Sequence, residues 1–184
     1  MNLFLREIER NDLPTINSWR ADRDLVSNLT ANFRYISLEV DQKWFDAYLA
    51  SRSNNVRLAI CDCSQDEILG VVYLLKIDWV NRTSEFGIQI GKKEFYGRGV
   101  GDWAMRKMLE HAFGDLNLHR VTLTVLENND RALRLYKKLG FTEEGRLRQA
   151  VFKNGKHLDL IVMAILEDEF YKVMKNQYKD SIEP

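Results

Sequence analysis

Four short segments, in one order, carry the residue types that could bind a phosphorylated ligand and move protons beside it. A strand-like run at residues 84–90 precedes a glycine-rich turn at 96–101. An asparagine-containing segment follows at 128–132, and a tyrosine-containing segment at 136–141. Their order predicts a strand, an anion-binding turn, a capped helix and a phenol on that helix.

The glycine-rich turn is predicted to bind phosphate oxygens. Gly97, Gly99 and Gly101 alternate directly after a strand and before a helix, and glycine lets the backbone bend sharply and approach a ligand closely. The amides from Arg98 to Asp102 lie at the positive end of the helix dipole, and Arg98 adds a fixed charge. The G-x-G-x-G spacing fits neither a dinucleotide fingerprint nor a P-loop, so a plain glycine-rich connector is the alternative.

The elements that must position these segments follow from hydrophobic periodicity. We predict the order β-α-α-β-β-β-α-β-α-β-β-α, with Asn154-Gly155 turning the last hairpin. Strands are expected near residues 3–8, 56–61, 68–77, 79–90, 121–126, 141–152 and 157–165. Helices are expected to start near residue 13, to span about 37–50, 100–112 and 132–139, and to start again at 167. This order indicates an α/β (mixed α+β) fold with a twisted mixed sheet of about six to seven strands and helices on both faces.

Composition limits the broad class of protein. The 184 residues predict a single domain, 1–184. Lys+Arg and Asp+Glu are both 27, so no global charge favours nucleic acid or an anionic membrane. No apolar run is long enough to span a bilayer and no signal-like segment opens the chain, so a cytoplasmic location is expected. Cys61 and Cys63, without histidines nearby, predict buried reduced thiols and no metal site.

With the last two segments included, the chain resembles the GNAT superfamily of N-acetyltransferases. The likeness is strongest to the subgroup of ribosomal-protein, spermidine and amino-sugar acetyltransferases. The pyrophosphate motif of that family, Gln/Arg-x-x-Gly-x-Gly/Ala, falls on residues 96–101, with Tyr96 in place of the usual Gln or Arg. The second motif falls on Asn129, Ala132, Tyr136 and the Gly-Phe pair at 140–141.

The resemblance implies that acetyl-CoA binds where two central parallel strands splay apart, near Ile90 and Leu126. Backbone groups of Ile88, Gln89 and Ile90 would pair with the pantetheine arm, and Asn129 would bond the same arm. Asn129 could equally serve only as a helix N-cap. The pyrophosphate would lie on the turn residues Gly97, Arg98, Gly99, Val100, Gly101 and Asp102. The Asp102 carboxylate, which would repel phosphate, is expected to cap the helix or point outward.

The implied reaction is direct acetyl transfer to an amine. The amine must lose a proton and the departing thiolate must gain one, while a thioester needs no covalent enzyme intermediate. By resemblance Tyr136 would protonate the CoA sulfur. Glu85 would be the general base, directly or through water, and it shares a strand face with Gly87 and Gln89. The alternatives are a core aromatic for Tyr136 and a solvated carboxylate for Glu85.

The acceptor amine is the least determined feature. In this family it lies among the first two helices, their loop and the late hairpin, so Trp19, Arg20, Phe33 and Arg34 are expected to bind it. Arginines beside aromatics favour a nucleotide-linked amino sugar. A polyamine would need carboxylates, available as Asp22, Asp24, Glu39 and Asp41; these could instead pair with the arginines. A protein N-terminus, a non-catalytic acyl-CoA sensor and a homo-oligomeric state all stay open.

Overall fold

A single seven-stranded sheet organises the chain in the computed structural model, which describes residues 1–64 and 67–180. Gln65 and Asp66, in the turn predicted at 64–67, and residues 181–184 lie outside the described part. The strands are β1 (Leu3–Glu7), β2 (Val56–Asp62), β3 (Gly70–Asp78), β4 (Thr83–Ile90), β5 (Arg120–Leu126), β6 (Thr142–Lys153) and β7 (Lys156–Leu166). Their order across the sheet is β1-β2-β3-β4-β5-β7-β6.

Helices cover both faces of the sheet, as expected. They are α1 (Leu13–Ala21), α2 (Arg23–Ser27), α3 (Leu38–Ala50), α4 (Val100–Glu110), α5 (Asp130–Lys138) and α6 (Glu167–Asp180). One core joins the sheet to α4, α5 and α6, and α4 buries Ala104, Met105 and Met108 at helical spacing. A second core lies under α1 and α3, where Leu13, Ile16 and Phe45 are buried, among others.

The only parallel strand pair among the described residues lies at the centre of the sheet. β4 and β5 pair only from Thr83–Arg120 to Glu85–Thr122, although both strands continue beyond that point. The remaining strand pairs are antiparallel. The sheet therefore opens into a wedge between the ends of β4 and β5, where the resemblance predicts a splay.

The structure corrects several local predictions. The short helix α2 was not predicted; Asp22 begins it by accepting a hydrogen bond from the Leu25 amide at 3.0 Å. β4 begins at Thr83 rather than near Trp79, because Asp78 Oδ1 accepts from the amides of Val80 and Asn81 and makes a turn there.

Two side chains whose sequence positions favour burial are exposed. Val40 is spaced at helical intervals with Trp44, Phe45 and Tyr48, but its side chain is 53% exposed near the start of α3. Cys61 is buried, whereas Cys63 is exposed because it follows the last residue of β2. The Asn154–Gly155 turn is confirmed, since both residues have positive φ, as a type I′ turn requires.

Candidate active site

The wedge between β4 and β5 exposes unpaired backbone groups. The Gly91 amide donates to the Leu69 carbonyl at 2.9 Å, and this bond sets the alternation between β3 and β4. In that alternation the backbone of Gln89 faces β3, while the backbones of Ile88 and Ile90 face the wedge. Tyr96 Oη donates to the Ile90 carbonyl at 3.1 Å. The wedge therefore offers both backbone groups of Ile88 and the amide of Ile90.

The β5 side of the wedge also exposes unpaired backbone groups. The Glu127 amide donates to the Asp159 carbonyl at 3.1 Å, which pairs the odd-numbered residues of β5 with β7. Thr124 therefore turns its backbone toward the wedge. The Leu126 carbonyl accepts from the Asn129 amide at 3.0 Å, so the turn into α5 closes this end. An extended amide-containing chain could bond to both strands here as a short additional strand.

The glycine turn has the conformation expected of a phosphate site. Gly97 and Gly99 have φ of 75° and 82°, and no atom lies within 4 Å of where a Cβ would stand at either residue. α4 begins immediately afterwards at Val100, so its first amides have no acceptor within the helix. Trp103 is the first residue to donate back, to the Gly99 carbonyl at 3.0 Å. The turn therefore presents free donors to open space.

Charges around the turn are arranged to favour an anion. The Asp102 carboxylate neither caps α4 nor stands free: it lies 2.8 Å from Arg106 Nε and 3.0 Å from Lys138 Nζ. These two cations hold the pKa of Asp102 below its usual range, against the effect of its burial. Arg98 is exposed beside the turn, and Arg131 stacks over the Tyr96 ring at 4.3 Å.

Asn129 caps α5 and also ties it to the loop between α2 and α3 (residues 28–37), called the acceptor loop below. Its Oδ1 accepts from the Ala132 amide at 3.1 Å, and its Nδ2 donates to the Asn28 carbonyl at 3.0 Å. The cap role anticipated from the sequence is present. The tie to Asn28, just after α2, links the helix that carries Tyr136 to the loop beside the acceptor side.

Tyr136 is enclosed on α5. Its side chain is 8% exposed and its ring packs on Phe141 at 5.9 Å between centroids. Burial raises the pKa of Tyr136 to about 12. Its hydroxyl makes no hydrogen bond to any residue in the described part of the chain. The phenol is thus a protonated donor whose hydrogen is uncommitted.

Glu85 lies at the last paired position of β4, where the wedge opens. Its side chain is 50% exposed, and its Oε1 lies 2.9 Å from Lys76 Nζ. This carboxylate is therefore in contact with solvent rather than enclosed. It reaches the α1–α3 face of the sheet, the face on which an acceptor would approach.

The four side chains expected to bind the acceptor do not form one cluster. Trp19 is buried in the α1–α3 core against Gly91. Arg20 lies over the Trp44 ring at 5.5 Å and 3.2 Å from Asp41 Oδ1. Phe33 lies under Arg23 at 4.0 Å. Arg34 is exposed in the loop between α2 and α3.

The carboxylates near the acceptor loop are already paired with cations. Asp22 and Asp24 lie 2.9 and 3.7 Å from Lys93 Nζ, and Glu39 lies 2.7 Å from Lys43 Nζ. Asp41 is buried, ion-paired with Arg20, and accepts from Asn17 Nδ2 at 2.8 Å. Asp22 and Asp24 share the single charge of Lys93, so this pair keeps a net negative charge, whereas Glu39 and Asp41 each have a cation of their own.

Two basic residues on this side were not anticipated. Arg57 on β2 is enclosed by the rings of Trp44, Tyr48 and Tyr73, at 5.1, 5.5 and 5.1 Å. Lys153, at the end of β6, is buried, donates to the Val26 carbonyl at 2.9 Å and also bonds the Ala31 carbonyl. Arg57 could have been noticed in the sequence as a single charged residue within the apolar run of β2. No feature of the sequence around Lys153 indicates that its side chain is buried.

Two further properties of the described chain bear on the site. No helix within residues 1–64 and 67–180 is long and apolar enough to cross a membrane. The same residues contain no group of three or more His, Cys, Asp or Glu side chains that could hold a metal ion.

Comparisons with known proteins agree with this geometry. A family model described as an acetyltransferase (GNAT) domain matches residues 2–142. A spermidine N(1)-acetyltransferase of Vibrio cholerae is 31% identical over 168 residues, covering 91% of this chain and 95% of that protein. One from Escherichia coli is 28% identical over 186 residues, covering 98% and 94%. The crystal structure of the Vibrio cholerae spermidine N-acetyltransferase with CoA and spermine has a TM-score of 0.86 at 30% identity, covering 92% and 98%.

Proposed function

This chain belongs to the GNAT acetyltransferase family, and from that premise we propose that it acetylates a primary amine on a small molecule. It is an acyl-CoA-dependent N-acetyltransferase, and acetyl-CoA is its acetyl donor. The observation that carries the assignment of the site is the wedge between β4 and β5, with the glycine turn directly after β4.

The described residues fit acetyl-CoA along its length. The free amides at the start of α4 and the charge of Arg98 suit the pyrophosphate. The wedge-facing backbone groups of Ile88, with the amide of Ile90, suit the amide-rich pantetheine arm. Gln89 differs in one respect from the expectation: its backbone faces β3, so only its side chain could contribute. Asn129 retains one lone pair and one N–H for the same arm.

Two side chains supply the proton chemistry in this proposal. Bound acetyl-CoA supplies an activated acetyl group with a thiolate as leaving group. Tyr136 holds a proton through neutral pH and donates it to that sulfur, because burial raises the pKa of the phenol to about 12. Glu85 accepts the proton of the amine through water, because its carboxylate is solvated at the mouth of the wedge.

A polyamine is the acceptor that the relatives favour. Two of them are spermidine N(1)-acetyltransferases matched over nearly their whole length, and the solved structure holds spermine with CoA. By the relatives alone, spermidine stands ahead of the amino sugar that the arginines and aromatics of the sequence suggested.

A nucleotide-linked amino sugar is the second candidate acceptor, and the side chains around the acceptor loop support it. Asp22, Asp24, Glu39 and Asp41 are all paired with cations, so the carboxylates a polyamine would need are engaged. Arg23 stacks on Phe33 and donates to Tyr35 Oη at 3.1 Å, an exposed stack on which a base could lie.

Release of CoA thiol from acetyl-CoA, measured with a panel of amines, tests the proposal. Spermidine, spermine, a nucleotide-linked amino sugar and a peptide with a free N-terminus form the panel, and acetyl-CoA affinity is measured separately. We expect amine-dependent release with at least one small-molecule amine. Tight acetyl-CoA binding without release for any amine would replace this proposal with a non-catalytic sensor. Release only with the peptide would contradict the small-molecule assignment.

A further inference from the structure

We propose that Arg57 forms an anion subsite and that the acceptor amine therefore also carries a carboxylate or phosphate. This inference rests on the proposed acetyl transfer and specifies the acceptor class for the same site. It departs from the polyamines of the relatives, and the physical reasons lie on the sheet face under α1 and α3.

Strand register places Arg57 beside the wedge. Arg57 on β2 is paired with Tyr73 on β3, which is paired with Gly87 on β4. Directly paired residues project to the same face, so all three share the face that carries Glu85. Two strand spacings, roughly 10 Å, separate Arg57 from Gly87 along this row. This distance joins backbone positions, and the long side chain of Arg57 shortens the gap that an anionic amine must bridge.

Gly87 leaves this row open toward the wedge. A Cβ at Gly87 would stand 3.4 Å from Tyr73 Cδ2, so the missing side chain clears the space between the Tyr73 ring and β5. Ile88, the next residue, turns its backbone into the wedge. A ligand lying over Gly87 would be at the transfer site, and its anionic end would extend past the Tyr73 ring, which stands between Gly87 and Arg57, to bind the guanidinium.

The guanidinium has no counter-charge of its own. Among the described residues no carboxylate lies within ion-pair distance of Arg57, and its Nε is buried without a hydrogen-bond partner. The nearby acids are engaged elsewhere: Asp41 pairs with Arg20, and Glu7 accepts from Tyr48 Oη at 2.9 Å and from Arg52 at 3.0 Å. A buried guanidinium N–H without an acceptor is costly unless a ligand atom accepts its hydrogen bond.

The surroundings of Arg57 add to that cost. Three aromatic rings provide cation–π contacts but no hydrogen-bond acceptor in the ring plane. Burial lowers the pKa of Arg57, and the charge of Arg20 acts in the same direction. A bound anion would relieve both effects, whereas a second cation such as a polyamine ammonium would be repelled.

The test compares Arg57→Gln with wild type for three amines: an α-amino acid, a nucleotide-linked amino sugar and spermidine. We expect wild type to prefer an anionic amine. In R57Q the KM for that amine should rise roughly 10- to 100-fold, because one charge-assisted hydrogen bond is lost. The KM for acetyl-CoA should not change. The first two amines distinguish a carboxylate from a phosphate as the recognised group. Arg57→Lys should restore part of the affinity, because it keeps the charge without the fork.

Arg10→Gln is the matched control, because Arg10 also lies over an aromatic ring, Phe45 at 5.4 Å, but is exposed and paired with Asp46. R10Q should leave every KM unchanged. Higher kcat/KM for spermidine than for both anionic amines in wild type would overturn the inference, as would equal KM values in wild type and R57Q.

Calorimetry on the CoA-saturated protein separates this inference from the proposed function. The same three amines are titrated into wild type and R57K, so the measurement needs no turnover and no charge-deleting variant. If wild type binds an anionic amine and R57K binds it more weakly, the subsite is supported. If, in addition, no acetyl transfer occurs, the proposed function fails while the subsite stands. No binding of either anionic amine to wild type overturns the subsite.

Discussion

At the scale of single residues, Tyr136 combines the properties that a general acid needs near neutral pH. It is almost fully buried, its pKa is raised to about 12, and its hydroxyl has no partner among the described residues. That hydroxyl is not shut off from solvent, so a ligand atom can reach it. Glu85 contrasts with it, because it is solvated and paired with Lys76.

Tyr136→Phe should lower kcat about 100-fold and leave the KM for acetyl-CoA near its wild-type value, because only the proton donor is removed. The free energy of unfolding should change by less than about 1 kcal/mol, since the hydroxyl makes no hydrogen bond within the described chain. Steady-state thiol release and urea unfolding measure the two effects. Tyr171→Phe, an exposed tyrosine on α6, is the control. Equal kcat in Y136F and wild type would remove the acid role.

At the scale of elements, the ends of β4 and β5 and the starts of α4 and α5 build the cofactor side. α4 follows β4 through the glycine turn and α5 follows β5 through a short turn, so the free amides of both helices lie beside the wedge. The long β6–β7 hairpin reaches across to the other side, where Lys153 holds the carbonyls of Val26 and Ala31. Burial lowers the pKa of Lys153, so this contact brings a costly charge into the acceptor loop.

Two glycines between β4 and α4 should respond differently to alanine. Gly99→Ala places a methyl group in open space at φ of 82°, at a strain of about 1 kcal/mol, and weakens acetyl-CoA binding about tenfold by crowding the turn. Gly91→Ala would place its Cβ 1.9 Å from Trp19 Cε2, so the core must shift and the cost reaches about 3 kcal/mol or more.

Urea unfolding and acetyl-CoA titration of both glycine variants check these outcomes. Comparable stability in the two proteins would mean that the packing of Trp19 on Gly91 is not tight. Unchanged acetyl-CoA affinity in G99A would mean that the turn does not contact the cofactor.

At the scale of the whole molecule, three enclosed tyrosines on different elements share one electrostatic property. Tyr48 on α3, Tyr73 on β3 and Tyr136 on α5 each have a pKa raised to about 12, with burial as the largest cause. Their phenols remain protonated in the folded state after the unfolded chain has begun to ionise. Stability is therefore coupled to pH on the alkaline side.

The sign of that coupling follows from the raised pKa values. Below pH 10, the ordinary pKa, ionisation of these phenols does not affect stability, and stability is lost as the pH rises from 10 to about 12. For Tyr136 the loss reaches about 2.7 kcal/mol when the phenol is fully ionised. Urea unfolding at pH 8, 9, 10 and 11 should show stability falling above pH 10, and less steeply in Y136F than in wild type. Parallel curves for the two proteins would contradict the raised pKa of Tyr136.

The sequence alone predicted the elements and the family because those signals are local. The hairpin turn at Asn154–Gly155 and the cap at Asn129 depend on residues within one turn of chain, and the structure confirms both. The short helix α2 was missed because its five residues give no periodicity, and its start depends on the Asp22 side chain.

The reaction and the cofactor were therefore determined by the sequence, through the spacing of Gly97–Gly101 and Asn129–Phe141. The acceptor side was decided only by the tertiary structure. Strand register brings Arg57, Tyr73 and Gly87 into one row, and ion pairs engage the carboxylates that composition had left available. The charge at a binding face depends on which residues come into contact between different strands and helices. The spacing of residues within one short segment does not determine those contacts.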